Sequence, residues 1–283
     1  MNRYHAVLTT ADIHVNRFDH APHEVHTDPD EETSTRWAVA FVHAGSFTVT
    51  HGAVRRTLRR GSVLLSRPGE RFRCMHHEEC PTDTCLSVSF ESDAATAIES
   101  TWADAEWPAR EIATPRLAYV DRRLLDAVRH ADTFSVERWA LATVEALRYD
   151  TATRRGRYAA RPADVDAIVA ACEAIEADPT ARRSIAERAR AVGLTSTRLT
   201  HSFRRYLGES PHQYVIRWRL AHAASLRSDG WNVSESCYRA GFEHLSHFSR
   251  TFQRAFGVRA ADWTALSPDE RRRKVQALLL RRT

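Results

Sequence analysis

Residues 185–214 read IAERARAVGLTSTRLTHSFRRYLGESPHQY, and residues 233–263 read VSESCYRAGFEHLSHFSRTFQRAFGVRAADW. The two stretches are one pattern written twice. Ile185, Ala189, Val192, Gly193 and Leu194 return 48 residues later as Val233, Cys237, Ala240, Gly241 and Phe242. Leu199, Phe203, Gly208 and Tyr214 return 49 residues later as Phe248, Phe252, Gly257 and Trp263. The one extra residue falls just after the turn glycine, where an insertion costs least. Each copy has the grammar of a helix-turn-helix unit, and two in tandem predict two helices that read duplex DNA.

In the first copy Ser184 is placed to cap a short helix through Arg190, and Gly193 supplies the positive φ of the turn. Thr195 then caps a helix over Ser196–Leu207. Leu199 and Phe203 turn that helix toward the core and leave Ser196, Thr197, Thr200, His201 and Arg204 outward. In the second copy Phe248, Phe252 and Phe256 form the inner stripe, leaving Leu245, Ser246, His247, Ser249 and Arg250 outward. Short hydroxyls and imidazoles suit base edges, and arginine suits guanine or phosphate. Arg250 is the candidate for a bidentate guanine contact, with Arg254 one turn later placed for a phosphate.

Between the copies Ser210, Pro211 and Gln213 open a helix with a capping box that runs to just before Gly230. About eighteen residues at 1.5 Å each give a rod of roughly 27 Å. Such a rod can set two recognition helices into successive major grooves about 34 Å apart.

Charge follows the repeat. Residues 161–283 hold 21 Lys+Arg against 13 Asp+Glu, a net of +8, whereas residues 1–160 hold 20 against 23, a net of −3. A phosphate-binding module requires such a basic half. Lys274 is the sole lysine. The preference for arginine therefore reflects composition and carries no weight by itself.

A length of 283 residues accommodates two domains, each with its own core. No run of eighteen apolar residues predicts a membrane span, and the polar N-terminus lacks the apolar core of a signal peptide. A cytoplasmic chain with five reduced cysteines is expected.

Residues 35–92 read as short strands, in RWAVAFVHAG, SFTVTHG, GSVLLSRPGE and TCLSVSFES, punctuated by Gly45, Gly52, Gly61 and Gly69. This spacing predicts an antiparallel barrel or sandwich. The first 34 residues read as a strand or two and a solvated loop. Apolar residues from Leu117 to Val128 and from Trp139 to Leu147 recur at helical spacing, with a break near Asp132–Ser135. The expected division is a sensor domain over 1–112, a helical extension over 113–150 and a linker over 151–162. A DNA-binding domain over 163–266 and a basic, solvated helical tail over 267–283 complete it.

The stretches AxxVGLTSTRLTHSFRRYLGESPHQYVIRWRLAHA and CYRAGFEHLSHFSRTFQRAFG carry a resemblance to the AraC/XylS family of bacterial transcription regulators, over residues 165–264. The resemblance implies an α+β chain of two domains. These are an N-terminal cupin-like β-barrel with a helical extension, and a C-terminal all-α double helix-turn-helix domain. It places base contacts on Thr197, Thr200, His201, Ser246, His247 and Arg250, and phosphate contacts on Ser196, Arg198, Arg204, Ser249 and Arg254. It implies double-stranded DNA as partner, with RNA polymerase, a small-molecule effector and a second copy of the chain as further candidates. Departures exist: apolar residues are usual where Arg188 and Ser236 stand, so both first helices are expected to pack loosely. Proline is usual at Ala260 and arginine at Thr264, which puts the packing after the second unit in question.

The N-terminal likeness to a cupin barrel rests on Gly45-Ser46-Phe47, Pro68-Gly69-Glu70 and a final apolar strand. The H-x-H, Glu and later His of metal-binding cupins do not assemble, so enzymatic chemistry and a catalytic residue set are not expected. The segment CMHHEECPTDTC is the local oddity, with Cys74, His76, His77, Cys80 and Cys85 as soft ligands for a metal or a thiol-based sensor. It lacks CxxC spacing, and strand cysteines are commonly small buried hydrophobes, so no metal or other cofactor is assigned. Cys74, beside Arg73, His76 and His77, is also the candidate acceptor thiol under a competing reading as an alkyl-transfer repair protein.

Overall fold

Alternation of apolar side chains sets the N-terminal strands. In the computed structural model, which describes residues 3–20, 30–76, 82–102, 109–110, 114–153 and 162–280, these strands form two antiparallel sheets. The strands are β1 (Arg3–Thr9), β2 (Ile13–Asp19), β3 (Glu32–Thr33), β4 (Trp37–Ala44) and β5 (Ser46–His51). They continue with β6 (Val54–Arg59), β7 (Val63–Ser66), β8 (Arg71–His76), β9 (Thr84–Phe90) and the short β10 (Ala109–Arg110). One sheet runs β1-β2-β9-β4-β7-β10 and the other β3-β8-β5-β6. Trp37, Val39 and Phe41 of β4 alternate into the interior, as the two-residue period of a strand demands. Val42, Leu64 and Cys85 from the first sheet meet Phe47, Val49 and Leu58 from the second, so a core lies between the two.

Gly45 makes the tight junction between β4 and β5. Its φ is +72°, and a Cβ there would lie 1.9 Å from the Thr82 carbonyl oxygen and 2.7 Å from Asp83 Cα. Only glycine permits that approach.

Four elements depart from the sequence expectation, the short β10 among them. β6 and β8 fall in stretches not read as strands, because β6 (VRRTLR) buries only Leu58 and shows no apolar alternation. A helix, α1 (Ser92–Trp102), follows β9 directly. The expected helical pair is present as α2 (Pro115–Arg129) and α3 (Thr133–Thr153). Thr114 caps α2 ahead of Pro115, and Ala131 at φ 53° marks the break between the helices. Tyr119 meets Trp139 edge-on at 5.7 Å, and the guanidinium groups of Arg123 and Arg138 lie 4.8 and 4.7 Å from the Trp139 ring. α3 continues to Thr153, into the stretch read as linker.

The chain divides into two compact units, residues 1–161 and 162–283. The second is all helical: α4 (Pro162–Ala177), α5 (Ile185–Ala191), α6 (Ser196–Tyr206), α7 (Pro211–Ser228), α8 (Val233–Arg239), α9 (Leu245–Phe256) and α10 (Pro268–Leu280). The architecture is α+β, antiparallel sheets followed by a helical unit. Capping decides where these helices start: Ser184 with Glu187, Ser210 with Gln213 and Asn232 with Glu235 are complete capping boxes. No helix among the described residues is long and apolar enough to cross a membrane.

Two expectations about packing are corrected. Arg188 and Ser236 do not loosen α5 and α8. Both are buried, Arg188 donating to the Ala181 carbonyl at 2.9 Å and Ser236 to the Trp231 carbonyl at 3.5 Å. The turn after α9 is closed as well. Trp263 is fully buried against Phe252 and Phe256, and its indole N–H donates to Ser228 Oγ at 3.1 Å. The Arg227 guanidinium, buried, donates to the carbonyls of Ala260 at 2.8 Å and of Trp231. Ala260 thus packs tightly without proline, whereas Thr264 is exposed.

The tail is likewise not a solvated appendage. α10 packs on the helical core through Leu278 and Val275, and Lys274 Nζ donates to the Phe256 carbonyl at 2.8 Å. Arg281 and Arg282 lie outside the described residues.

Candidate nucleic-acid interface

Each helix-turn-helix is built by a glycine at positive φ, Gly193 at +71° and Gly241 at +84°. The backbone N–H after each glycine returns to the first helix: Leu194 to Ala189 at 2.9 Å and Phe242 to Cys237 at 3.1 Å. The two turns share a backbone device but not an environment. A Cβ at Gly193 would meet open space, whereas one at Gly241 would lie 3.0 Å from Arg219 Nε and 3.2 Å from Thr180 Cα.

On α6, Leu199, Ser202, Phe203 and Tyr206 are buried. Ser196, Thr197, Arg198, His201 and Arg204 are exposed, and Thr200 is half-buried. Thr195 caps the helix by accepting from the Arg198 N–H at 3.3 Å. The residues expected to point outward are thus exposed, Thr200 only in part. Arg198 is engaged: its Nη2 donates to Asp164 Oδ1 of α4 at 2.6 Å.

On α9, Phe248, Thr251, Phe252 and Phe256 are buried. Leu245, Ser246, His247, Arg250 and Arg254 are exposed, and Ser249 is half-buried. Arg250 Nε donates back to the Ser246 carbonyl at 3.3 Å, which leaves the guanidinium amino groups available. The His247 ring lies 6.1 Å from Phe242, tilted by 50°, so its position is tied to the turn. The α9 N-terminus differs from that of α6: His244 occupies the cap position and makes no side-chain capping bond. The first backbone N–H groups of α9 have no cap from that residue, and such groups favour an anion.

Tyr238, on α8, is 58% exposed. It lies beside the buried Cys237 and outside the repeated pattern; an aromatic off the inner stripe is the sequence signal that marks it. Arg239 next to it stacks on Trp231 at 3.8 Å.

Not all the positive charge of this unit faces outward. Arg188, Arg217 and Arg227 are buried. Arg217 pairs with Glu209, and Arg219 donates to the Pro179 carbonyl at 2.7 Å. Desolvation by burial lowers the pKa of both Arg188 and Arg219. These arginines hold loops together, a role that charge counting cannot separate from phosphate binding.

The cysteine- and histidine-rich segment is resolved into two environments. Cys85 sits in the core between the sheets, and Cys74 packs against it. Burial pushes the Cys74 thiol pKa up, with Glu32 and Asp83 adding to the rise. Cys85 is raised well above its usual value by burial and then by Asp83. A reactive acceptor needs a lowered thiol pKa, so Cys74 does not fit the alkyl-transfer reading. His77 and Cys80 lie outside the described residues. His76 meets different partners from those expected: His20, at the end of β2, and Asp83, just before β9.

A helix-turn-helix domain family matches residues 188–265. The transcriptional activator RhrA of Rhizobium meliloti strain 1021 is 34% identical over 87 residues, 30% of this chain and 27% of that protein. The match thus spans about a quarter of that relative's length. A probable AraC family transcriptional regulator from Rhodopseudomonas palustris CGA009 is 29% identical over 35% of this chain and 95% of that chain, with a TM-score of 0.34. ToxT from Vibrio cholerae O395 is 11% identical over 90% of this chain and 98% of that chain, with a TM-score of 0.36. With its duplicated, glycine-centred helix pairs, the C-terminal unit of this chain carries a helix-turn-helix domain.

Proposed function

We propose that this chain is a sequence-specific transcription regulator that lays α6 and α9 in successive major grooves of duplex DNA. The observation that carries the reading is the pair of outward faces on otherwise buried helices. Thr197, Thr200 and His201 stand on one, and Ser246, His247 and Arg250 on the other. α7, 18 residues long, separates the two units and spans roughly 27 Å. The net charge of +8 on residues 161–283 supplies attraction to phosphates. Arg204 and Arg254, both exposed, take the phosphate roles together with Ser196 and Ser249. The N-terminal unit serves as sensor or dimerisation domain, with the α2–α3 hairpin and its 57% exposed Phe134 as the candidate self-contact.

Chemical footprinting on an enriched DNA site tests this reading. Two protected major-groove patches on one face of the duplex, about 10 base pairs apart, are expected. One patch, or uniform protection along the duplex, contradicts it.

A further inference from the structure

Three strand ends converge in the N-terminal unit. His20 follows β2, His76 ends β8 and Asp83 precedes β9. The three side chains belong to residues 7%, 9% and 7% exposed, and one ligand atom from each lies within 4.8 Å of the others. The His20 and His76 rings stack at 3.6 Å, 6° from parallel. His76 Nδ1 lies 2.9 Å from Asp83 Oδ1. Both atoms are shut off from solvent and neither has a hydrogen-bond partner among the described residues. Buried polar atoms are normally satisfied, and such a pair without hydrogen bonds is costly unless something else completes it.

The backbone holds this cluster in place. The His20 N–H donates to the Asp83 carbonyl at 2.9 Å, and the close approach of Gly45 confines residues 82–83 from the other side. Cys85 Sγ, 3.6 Å from Asp83 Oδ2, occupies the other carboxylate oxygen.

We propose that His20, His76 and Asp83 form a binding site for one divalent first-row transition-metal ion. Two imidazoles and one carboxylate suit Zn, Fe, Co or Ni rather than Ca or Mg, which take oxygen ligands. Ligands of a tetrahedral ion at 2.0–2.1 Å stand about 3.4 Å apart, so the three atoms close on the ion by side-chain rotation, one imidazole leaving the stack. A metal ion as the effector of transcription rests on the function proposed above; the metal site itself does not.

The test uses the full chain, stripped with chelator and titrated anaerobically with Co(II). Visible d–d bands saturating at one equivalent per chain are expected, with a rise in the melting temperature. Two hyperfine-shifted imidazole N–H signals are expected in the NMR spectrum of the cobalt form. His76→Gln and Asp83→Asn are expected to lose the bands and the shift, while replacing the exposed His130 by Gln keeps both. Absence of bands in the unaltered protein overturns the site. So do fewer than two shifted imidazoles, or retention of binding in both variants. The spectra of the unaltered protein decide the matter even if a variant fails to fold. DNA is absent from the assay, so a negative result leaves the DNA-binding reading standing.

Discussion

Arg198 on the outer face of α6 donates to Asp164 on α4, Nη2 to Oδ1, at 2.6 Å. The resemblance assigns Arg198 to a phosphate, yet its guanidinium already has a carboxylate partner within the domain. Arg204, one and a half turns on, is exposed. The two arginines are therefore expected to behave differently on DNA. Arg204→Ala should weaken specific and random DNA alike and lower the salt slope by about 1. Arg198→Ala should do less, and should match it only when Asp164 is replaced by Asn. Fluorescence anisotropy over a salt series measures this. Equal losses for Arg198→Ala in both backgrounds would show that the ion pair does not compete with the phosphate.

The two turn glycines should tolerate alanine unequally. Both have positive φ, which costs an L-residue about 1–2 kcal/mol. At Gly193 that strain stands alone. At Gly241 the new Cβ also presses on Arg219 and Thr180. Gly241→Ala should therefore cost on the order of 1 kcal/mol more than Gly193→Ala, read from urea unfolding midpoints. A larger cost at Gly193 would refute the asymmetry.

Burial predicts inert thiols. The Cys74 and Cys85 pKa values are raised by desolvation, so at pH 8 both remain protonated; Cys85 is buried and Cys74 half-buried. Titration with an aromatic disulfide reagent should leave them unmodified in the folded protein and label them only after denaturation. Rapid labelling of Cys74 in the native state would reopen the reactive-thiol reading.

The C-terminal helix should matter for stability. Leu278 is buried in the same apolar cluster as Phe256 and Trp263. Leu278→Asp places a carboxylate there and should destabilise the helical unit by roughly 3 kcal/mol, seen as an earlier thermal transition. An unchanged transition is what a solvated tail would give.

How far the sequence could be read follows from where its signals are local. The capping residues Ser184, Thr195 and Ser210, the turn glycines and the phenylalanine stripe of α9 act within one or two turns. All are visible in the chain. The packing of α10 is hard to read because the charged run Arg271–Lys274 hides the spacing of Val275 and Leu278. The role of Arg227 depends on carbonyls at Trp231 and Ala260, and the latter is 33 positions away. The His20–His76–Asp83 cluster was less legible still. His20 is far from the other two in sequence; the pairing of β2 with β9 sets it beside Asp83, while His76 comes from β8 in the other sheet. The segment 74–85 signalled an oddity in the right place but suggested cysteine ligands, two of which pack against the core instead.

The central claim is that α6 and α9 both read bases and that Arg250 is the strongest single reader. Selection of bound duplexes from a random pool, run in parallel with the unaltered chain and Arg250→Ala, tests it most directly. The account predicts two blocks of preferred bases about one helical turn apart. In the variant one position, a guanine, should lose its preference at a cost of about 1–3 kcal/mol on the enriched site. A single block, or an equal loss of affinity on enriched and random DNA, would contradict it.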